Sequence, residues 1–388
     1  MSWRRIQKQF DRIYRTARIR ENFPSEDLLH YHCVIFSDHH KGDSSSADDF
    51  QKNSDLYATA LDFYAKNSYR LIVLGDSEEL WENRFSRVWE NYDHIIKREV
   101  TLAPRSPQGR PLRILGNHDK EISYPRFRSS CREFDHPPLN QVDFREGLCL
   151  DNDIFLVHGH QGRFFDDQAW RLSRWAVQIF WRTIQRLFHI GMDGPAENAK
   201  IRDVLEINYY RWAKINRILL ICGHTHRAVF ASRTHFDRIQ EDLAAARRRL
   251  FTAAPKERPK LSARILELES EIEEILLRRG GRPLRTFEKD RRDSLPCYFN
   301  SGCCGYTNGI TCIEIAEDRI RLVKWQRGNR RRTILSAADL SALRKHIHSG
   351  DLKGSRQGSP RPSGGKEGPR GKKRRAGEEA PSSPFSKP

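Results

Sequence analysis

Ile218-Leu219-Leu220-Ile221-Cys222-Gly223-His224-Thr225-His226 is an aliphatic run closed by a glycine and two histidines. A short apolar run that ends in a turn signal reads as a buried strand. Gly-His-x-His at its end sets two imidazoles on one tight turn, and imidazole is a common ligand of divalent transition metals. By itself the pair is equally well explained as a polar turn, but four other runs end in the same way. His32-Cys33-Val34-Ile35-Phe36-Ser37 leads into Asp38-His39-His40, and Leu71-Ile72-Val73-Leu74 leads into Gly75-Asp76. Leu112-Arg113-Ile114-Leu115 leads into Gly116-Asn117-His118-Asp119, and Ile154-Phe155-Leu156-Val157 leads into His158-Gly159-His160. Ligands of open α/β sheets bind beyond the carboxyl ends of strands. Five such ends, each carrying Asp, Asn or His, predict an α/β fold with its donors gathered on one edge.

The chain is long enough for a catalytic domain with appendages: 388 residues, 37% hydrophobic and 31% charged. Its 69 Lys and Arg against 51 Asp and Glu give a formal net charge of +18. That balance favours polyanionic partners: phosphorylated substrates, an anionic membrane surface or nucleic acid, the last without a motif to support it. The eight cysteines form no Cys-x-x-Cys pair and several lie in apolar runs, which predicts reduced core thiols and a cytoplasmic protein. The start, Trp3-Arg4-Arg5-Ile6-Gln7-Lys8, is too polar for a signal peptide. No apolar stretch approaches the roughly 18 residues of a membrane span. The predicted location is therefore the cytoplasm or the inner face of a membrane.

Trp3, Ile6, Phe10, Ile13 and Tyr14 predict a basic amphipathic helix within residues 1–27, either docked on the domain or lying on an anionic membrane. A core over 28–235 follows, with helices expected at about 48–67, 77–102 and 195–213, and irregular chain over 121–150. Residues 164–190 interleave Phe164, Phe165, Trp170, Trp175, Phe180, Trp181 and Phe188 with arginines, so a helical aromatic lid is expected over about 164–213. Residues 236–294 read as an inserted antiparallel helical hairpin: Leu261, Ile265, Leu268, Ile272 and Ile275 hold a heptad spacing, and Pro255 and Pro259 separate the helices. Closing strands and a C-terminal helix are expected over 295–348, with the hairpin turn near Glu317-Asp318 and the helix capped at Ser336. From 349 a Gly, Pro, Ser, Lys and Arg tail reads as disordered.

Asp38, His40, Asp76, Asn117, His158, His224 and His226 supply enough donors for two divalent metals. Mixed nitrogen and oxygen ligation without thiolate suits Mn, Fe, Zn or Ni. A metal pair about 3.5–4 Å apart serves phosphoester hydrolysis, with hydroxide made from a bound water attacking phosphorus in line.

These blocks resemble the signature of the calcineurin-like metallophosphoesterases: Asp-x-His, Gly-Asp-x-x-acid, Gly-Asn-His-Asp/Glu, a lone His and Gly-His-x-His. They stand here in order as Asp38-His39-His40, Gly75-Asp76-Ser77-Glu78-Glu79, Gly116-Asn117-His118-Asp119, His158 and Gly223-His224-Thr225-His226. The resemblance implies a four-layer αββα sandwich and two divalent metals, Mn first, bridged by Asp76. It implies His118 as the phosphate contact and proton donor to the leaving oxygen, oriented by Asp119. The fifth-position acid is usually Asp and is Glu79 here, at a place that is not normally a ligand.

Gly75-Asp76-x-x-Glu79-x-Trp81 and Gly223-His224-Thr225-His226-Arg227 are also similar to the UDP-diacylglucosamine pyrophosphate hydrolases. The chain departs from that branch at His118, commonly Arg there, at His160, commonly Asp, and in the 236–294 insertion. A lipid-nucleotide pyrophosphatase, a protein phosphatase and a nuclease are the alternatives within enzymes, and a non-catalytic nucleic-acid or membrane-binding scaffold is the alternative outside them. Lys41, Arg163, Arg227 and His160 stand beside donor positions and are candidate substrate contacts. His39, between two donors on a strand end, is expected to point away.

Overall fold

The computed structural model describes residues 3–20, 22–23, 32–106, 109–161, 196–278, 287 and 294–349. Arg163, the aromatic segment over 164–195 and the tail from residue 350 lie outside the described residues.

The chain opens with helix Trp3–Arg20 (α1). Then come strands Asn22–Phe23 (β1) and Cys33–Phe36 (β2), helix Ser54–Lys66 (α2), strand Arg70–Val73 (β3) and helix Phe85–Leu102 (α3). Leu112–Ile114 (β4), the short helix Pro125–Ser130 (α4), Asp143–Arg145 (β5), Gly147–Leu150 (β6) and Ile154–Val157 (β7) lead to helix Ala196–Asn216 (α5). Strand Leu219–Cys222 (β8) precedes the short pair Val229–Phe230 (β9) and Arg233–Thr234 (β10), then helices His235–Thr252 (α6) and Arg258–Arg278 (α7). Tyr298–Asn300 (β11), Gly309–Ala316 (β12), Arg319–Gln326 (β13), Arg332–Asp339 (β14) and helix Leu340–Ser349 (α8) complete it.

Among the described residues, two large sheets face each other, in the orders β1-β6-β7-β8-β11-β9-β10 and β14-β13-β12-β2-β3. Strand alternation assigns side chains to layers. Cys33, Ile35, Ile72, Leu74, Ile313 and Ile315 join the core shared with the seven-stranded sheet. Their neighbours Val34, Phe36, Leu71, Val73 and Cys312 join a second core with Leu61 of α2 and Ile95 of α3. On the outer face of the seven-stranded sheet, Phe10 of α1 packs on Phe155 and on Tyr209 and Trp212 of α5. The result is a four-layer αββα sandwich. Strands β2 and β3 run parallel, as do β7, β8 and β11. β4 extends the line of β3 through the Leu74–Ile114 bridge. The donor-bearing strands thus end on one edge.

Ile6, Phe10, Ile13 and Ala17 bury the apolar face of α1 against protein. Burying each large side chain is worth about 1.5–3 kcal/mol. Trp212 Nε1 adds a hydrogen bond to Asp11 Oδ1 at 2.8 Å. That face is not left for a membrane. No helix among the described residues is long and apolar enough to cross one. The eight cysteines are free, seven of them buried.

Four expectations need correction. The lid expected to reach residue 213 does not: over its described part α5 is a core helix, with Leu205, Tyr209 and Trp212 buried at helical spacing. Helix α3 starts only at Phe85, because 77–80 pair with other loops: Glu79 N donates to Lys41 O and Leu80 N to His118 O. Strands β5 and β6 lie within the stretch expected to be irregular, β6 as four buried residues paired with β7. Ser336 opens no helix. Residues 332–339 pair along the open edge of β13, and this ladder outweighs a local capping box. α8 starts at Leu340, where Asp318 Oδ1 and Oδ2 accept from Ser341 N and Oγ at 3.1 and 2.6 Å.

Candidate metal centre

Each donor is presented by a strand that stops and a backbone that turns sharply. Asp38, His40, Asp76, His224 and His226 all lie in the left-handed region, with φ between 51 and 67°. Holding a non-glycine residue there costs on the order of 1–3 kcal/mol, and such residues cluster at functional sites. The neighbouring glycines leave space for the carboxylates. A Cβ on Gly223 would lie 2.5 Å from Asp38 Oδ2, and one on Gly116 would overlap the carboxylate and amide of Asp76. Gly116→Ala is expected to destabilise the fold by about 1–3 kcal/mol and to displace Asp76, read as lower Tm and lower divalent-cation uptake.

Candidate donor atoms among the described residues form three groups, the atoms of each within 4.8 Å of one another: Asp38/His40/His226, Asp76/His158/His224, and His40/Glu79/His118, the last held by the Glu79 hydrogen bonds. His226 Nε2 is 3.1 Å from Asp38 Oδ1, and His158 Nε2 is 3.0 Å from Asp76 Oδ2. The first two groups adjoin: His40 Nε2 is 3.9 Å from Asp76 Oδ2, and His158 Nε2 is 3.9 Å from Asp38 Oδ1. Asn117 is next to His118, whose amide donates to Asp76 Oδ1 at 2.9 Å. Its own Oδ1 is buried without a hydrogen-bond partner.

Hydrogen bonds on the far side fix which ring nitrogens face inward. His158 Nδ1 lies 2.8 Å from Leu74 O, and His40 Nδ1 lies 2.8 Å from Glu79 Oε2. A carbonyl or carboxylate only accepts, so each Nδ1 donates and Nε2 is the ring nitrogen left facing inward, open to a proton or, in its place, a cation. His40 Nε2 then faces His226 Nε2 at 3.2 Å. Burial would lower His158, yet the carboxylates of Asp76 and Asp38 push it up to about 10. Inward-facing imidazole nitrogens, two carboxylates and an orphaned amide oxygen are a donor set that fits divalent cations.

His118 and Asp119 are both in the site, but their relation is not the expected one. Asp119 accepts from Gly116 N and Ser77 N, at 2.6 and 2.8 Å, and pins the two motif loops together. Burial, with Asp76 and Glu78 nearby, pushes its carboxyl up to about 6. The acid on His118 is Glu79, whose Oε1 accepts from Nδ1 at 2.8 Å while Oε2 accepts from His40. Trp81 stacks on the His118 ring, centroids 3.9 Å apart, and donates from Nε1 to Asn117 O at 3.0 Å. Sequence reading passed over Glu79 as a non-ligand. The available signal was its place in the Gly75–Glu79 block, opposite two imidazoles that each need an acceptor. Burial alone would raise Glu79, but His118 and His40 hold it at about 2. A depressed carboxyl stabilises above its unfolded value of 4.5, and that contribution fades as pH falls toward 2. In acid unfolding of metal-free protein, the stability gap between wild type and Glu79→Gln is expected to close across that window.

The candidate substrate contacts divide. Lys41 is wholly buried, with Nζ 2.6 Å from Ser77 Oγ and 2.8 Å from Glu99 Oε1, so it does not face a substrate. Arg227 is held by α5: NH1 donates to Asp203 at 2.9 Å and Nε to Glu206 at 3.2 Å, so its charge already has carboxylate partners. His160 does lie beside the site, buried and 5.5 Å from the His158 ring, its Nδ1 without a hydrogen-bond partner. His39 points away, its ring between Phe50 and Tyr57.

The sequence model of the calcineurin-like phosphoesterases matches residues 31–228. No curated protein matches the chain. The matched span contains every donor described above and covers just over half of the chain, so the protein belongs to the calcineurin-like phosphoesterases.

Proposed function

We propose that the chain hydrolyses a phosphoester or pyrophosphate bond with two divalent cations, manganese first, held by Asp38, His40, His226, Asp76, His158, His224 and Asn117. The carrying observation is the pair of adjoining donor groups, each with one carboxylate and two imidazoles. Cations bound there supply positive charge for the phosphoryl oxygens and acidify an attacking water.

The chain's own groups do the rest. Glu79 accepts from Nδ1 of His118 and favours the protonated ring, which then presents an Nε2–H to the leaving oxygen, and Trp81 holds the ring plane. A positioned imidazole passing a proton to the leaving oxygen contributes about 10²–10⁴-fold. His118→Ala is expected to slow poor leaving groups by about that factor, with cation content kept. Glu79→Gln is expected to lower kcat about 10–100-fold at saturating manganese and to raise the manganese requirement. Combined with His118→Ala it should add less than the product of the single effects. Independent, multiplying effects would show that Glu79 does not act through His118.

The overall test joins elemental analysis to a substrate panel. Manganese-loaded protein is assayed on mono- and bis-p-nitrophenyl phosphate, a UDP-sugar and a phosphoserine peptide. Two cations per chain and hydrolysis of at least one substrate are expected. Full loading without hydrolysis would return the chain to the scaffold class, and no loading would remove the metal centre.

A further inference from the structure

Helices α6 and α7 form an arm with a small core of its own, Ile239, Leu243, Ile265 and Leu268, apart from both large cores. A capping box at Thr234 and Asp237 fixes its root. Thr234 stands opposite Val229, which stands opposite Asn300 at the carboxyl end of β11. The arm therefore leaves the sheet from the edge that carries the metal centre.

Charge is divided along it. Residues 247–264, the apex, hold Arg247, Arg248, Arg249, Lys256, Arg258, Lys260 and Arg264 against the single acid Glu257. The remainder of the two helices holds eight acids against two arginines. Glu269 neutralises Arg247 at 2.6 Å, Glu267 neutralises Arg264 at 2.6 Å, and Glu257 lies 4.0 Å from Arg249. Among the described residues, Arg248, Lys256, Arg258 and Lys260 have no ion pair. Between them Phe251 is 86% exposed, more than any other large apolar side chain described.

We propose that this apex docks on an anionic phospholipid surface, with Phe251 entering the headgroup region and the bases meeting lipid phosphates. Consecutive Arg247, Arg248 and Arg249 spread around their helix rather than lining one face. A ring of charge around a blunt end matches a plane of phosphates, whereas a nucleic-acid duplex would call for a stripe along one side. One exposed aromatic among bases suits an interfacial anchor. The acidic root is repelled by the same surface, so the arm is held end-on. The proposal does not depend on which bond the metal centre cleaves.

The test is co-sedimentation of the full chain with vesicles of phosphatidylcholine alone, or with one part in three phosphatidylglycerol. Binding is expected only to the anionic vesicles, and high salt should weaken it. Each base near such a surface is worth about 1 kcal/mol, so Arg248→Ala/Lys256→Ala/Lys260→Ala should lower the partition coefficient about 100-fold. Phe251→Ser should lower it a further ~5-fold. Circular dichroism and p-nitrophenyl phosphate hydrolysis should not change. Equal binding by wild type and the triple variant would overturn the proposal, as would no binding to anionic vesicles. Apex-dependent retention of a nucleic-acid duplex without retention of vesicles would overturn it in favour of a nucleic-acid surface.

Discussion

Asp76→Asn is expected to lower turnover by at least about a thousandfold while leaving the fold in place. Asparagine keeps the size of the side chain and can still accept the His118 amide at the Oδ1 position. What it loses is the charge at the meeting point of the two donor groups, 3.0 Å from His158 and 3.9 Å from His40. In the wild type this charge is secure: burial works against it, but His158 and His118 hold the carboxyl well below its usual range. Elemental analysis should find less than one cation per chain, and Tm without added metal should fall, because His158 loses its charge partner. Added manganese is expected to raise the wild-type Tm by binding the folded state and to raise the variant's far less. Wild-type turnover with full cation content in Asp76→Asn would remove Asp76 from the centre.

Lys41→Met should act on stability instead, by about 3–5 kcal/mol. Lys41, Glu78, Glu99 and Arg113 are all buried directly behind the metal centre. Lys41 binds both oxygens of Glu99, at 2.8 and 3.0 Å, and Arg113 NH2 binds both oxygens of Glu78, at 2.9 and 3.0 Å. Two cations thus match two carboxylates, with Tyr57 OH as a further donor to Glu99 at 3.1 Å. Methionine fills the space of the lysine stem but leaves Glu99 charged and short of a partner away from water. Thermal unfolding should drop by about 10 °C. Lys41→Met/Glu99→Gln should recover part of the loss, since removing both charges is far less harmful than stranding one. No recovery in the double variant would place the effect in packing rather than charge.

Lys41 also shows where sequence reading stops. The five strand ends were legible because each joins two local signals, an apolar run and a donor after a turn, and local signals survive without the fold. Which way a side chain leaves a turn is not local. Lys41 follows His40 directly and looks like a phosphate contact, yet its direction depends on Glu99, fifty-eight positions away on α3. Glu79 and Asp119 carry the same acid group, and Asp119 adjoins His118 in sequence while Glu79 stands thirty-nine positions away. Only the packing of the 77–80 loop against 116–119 decides that Glu79 meets the imidazole and Asp119 the backbone. Strand β14 was missed for a related reason: its partner is an edge that exists only once β12 and β13 have paired. The hairpin arm was read from 3.5-residue periodicity because its contacts are mostly its own.

Asp38, His40 and Asp76 stand at the ends of the five-stranded sheet, whereas His158, His224 and His226 stand at the ends of the seven-stranded one. The thickness of greasy filling between the sheets is therefore a gauge that sets the spacing of the cation cradle. A bulkier residue at Cys33 or Ile313, remote from any donor, should register as weakened manganese affinity before it registers as unfolding. Selection for tight ion capture would then act on the hidden middle of the sandwich as much as on its rim.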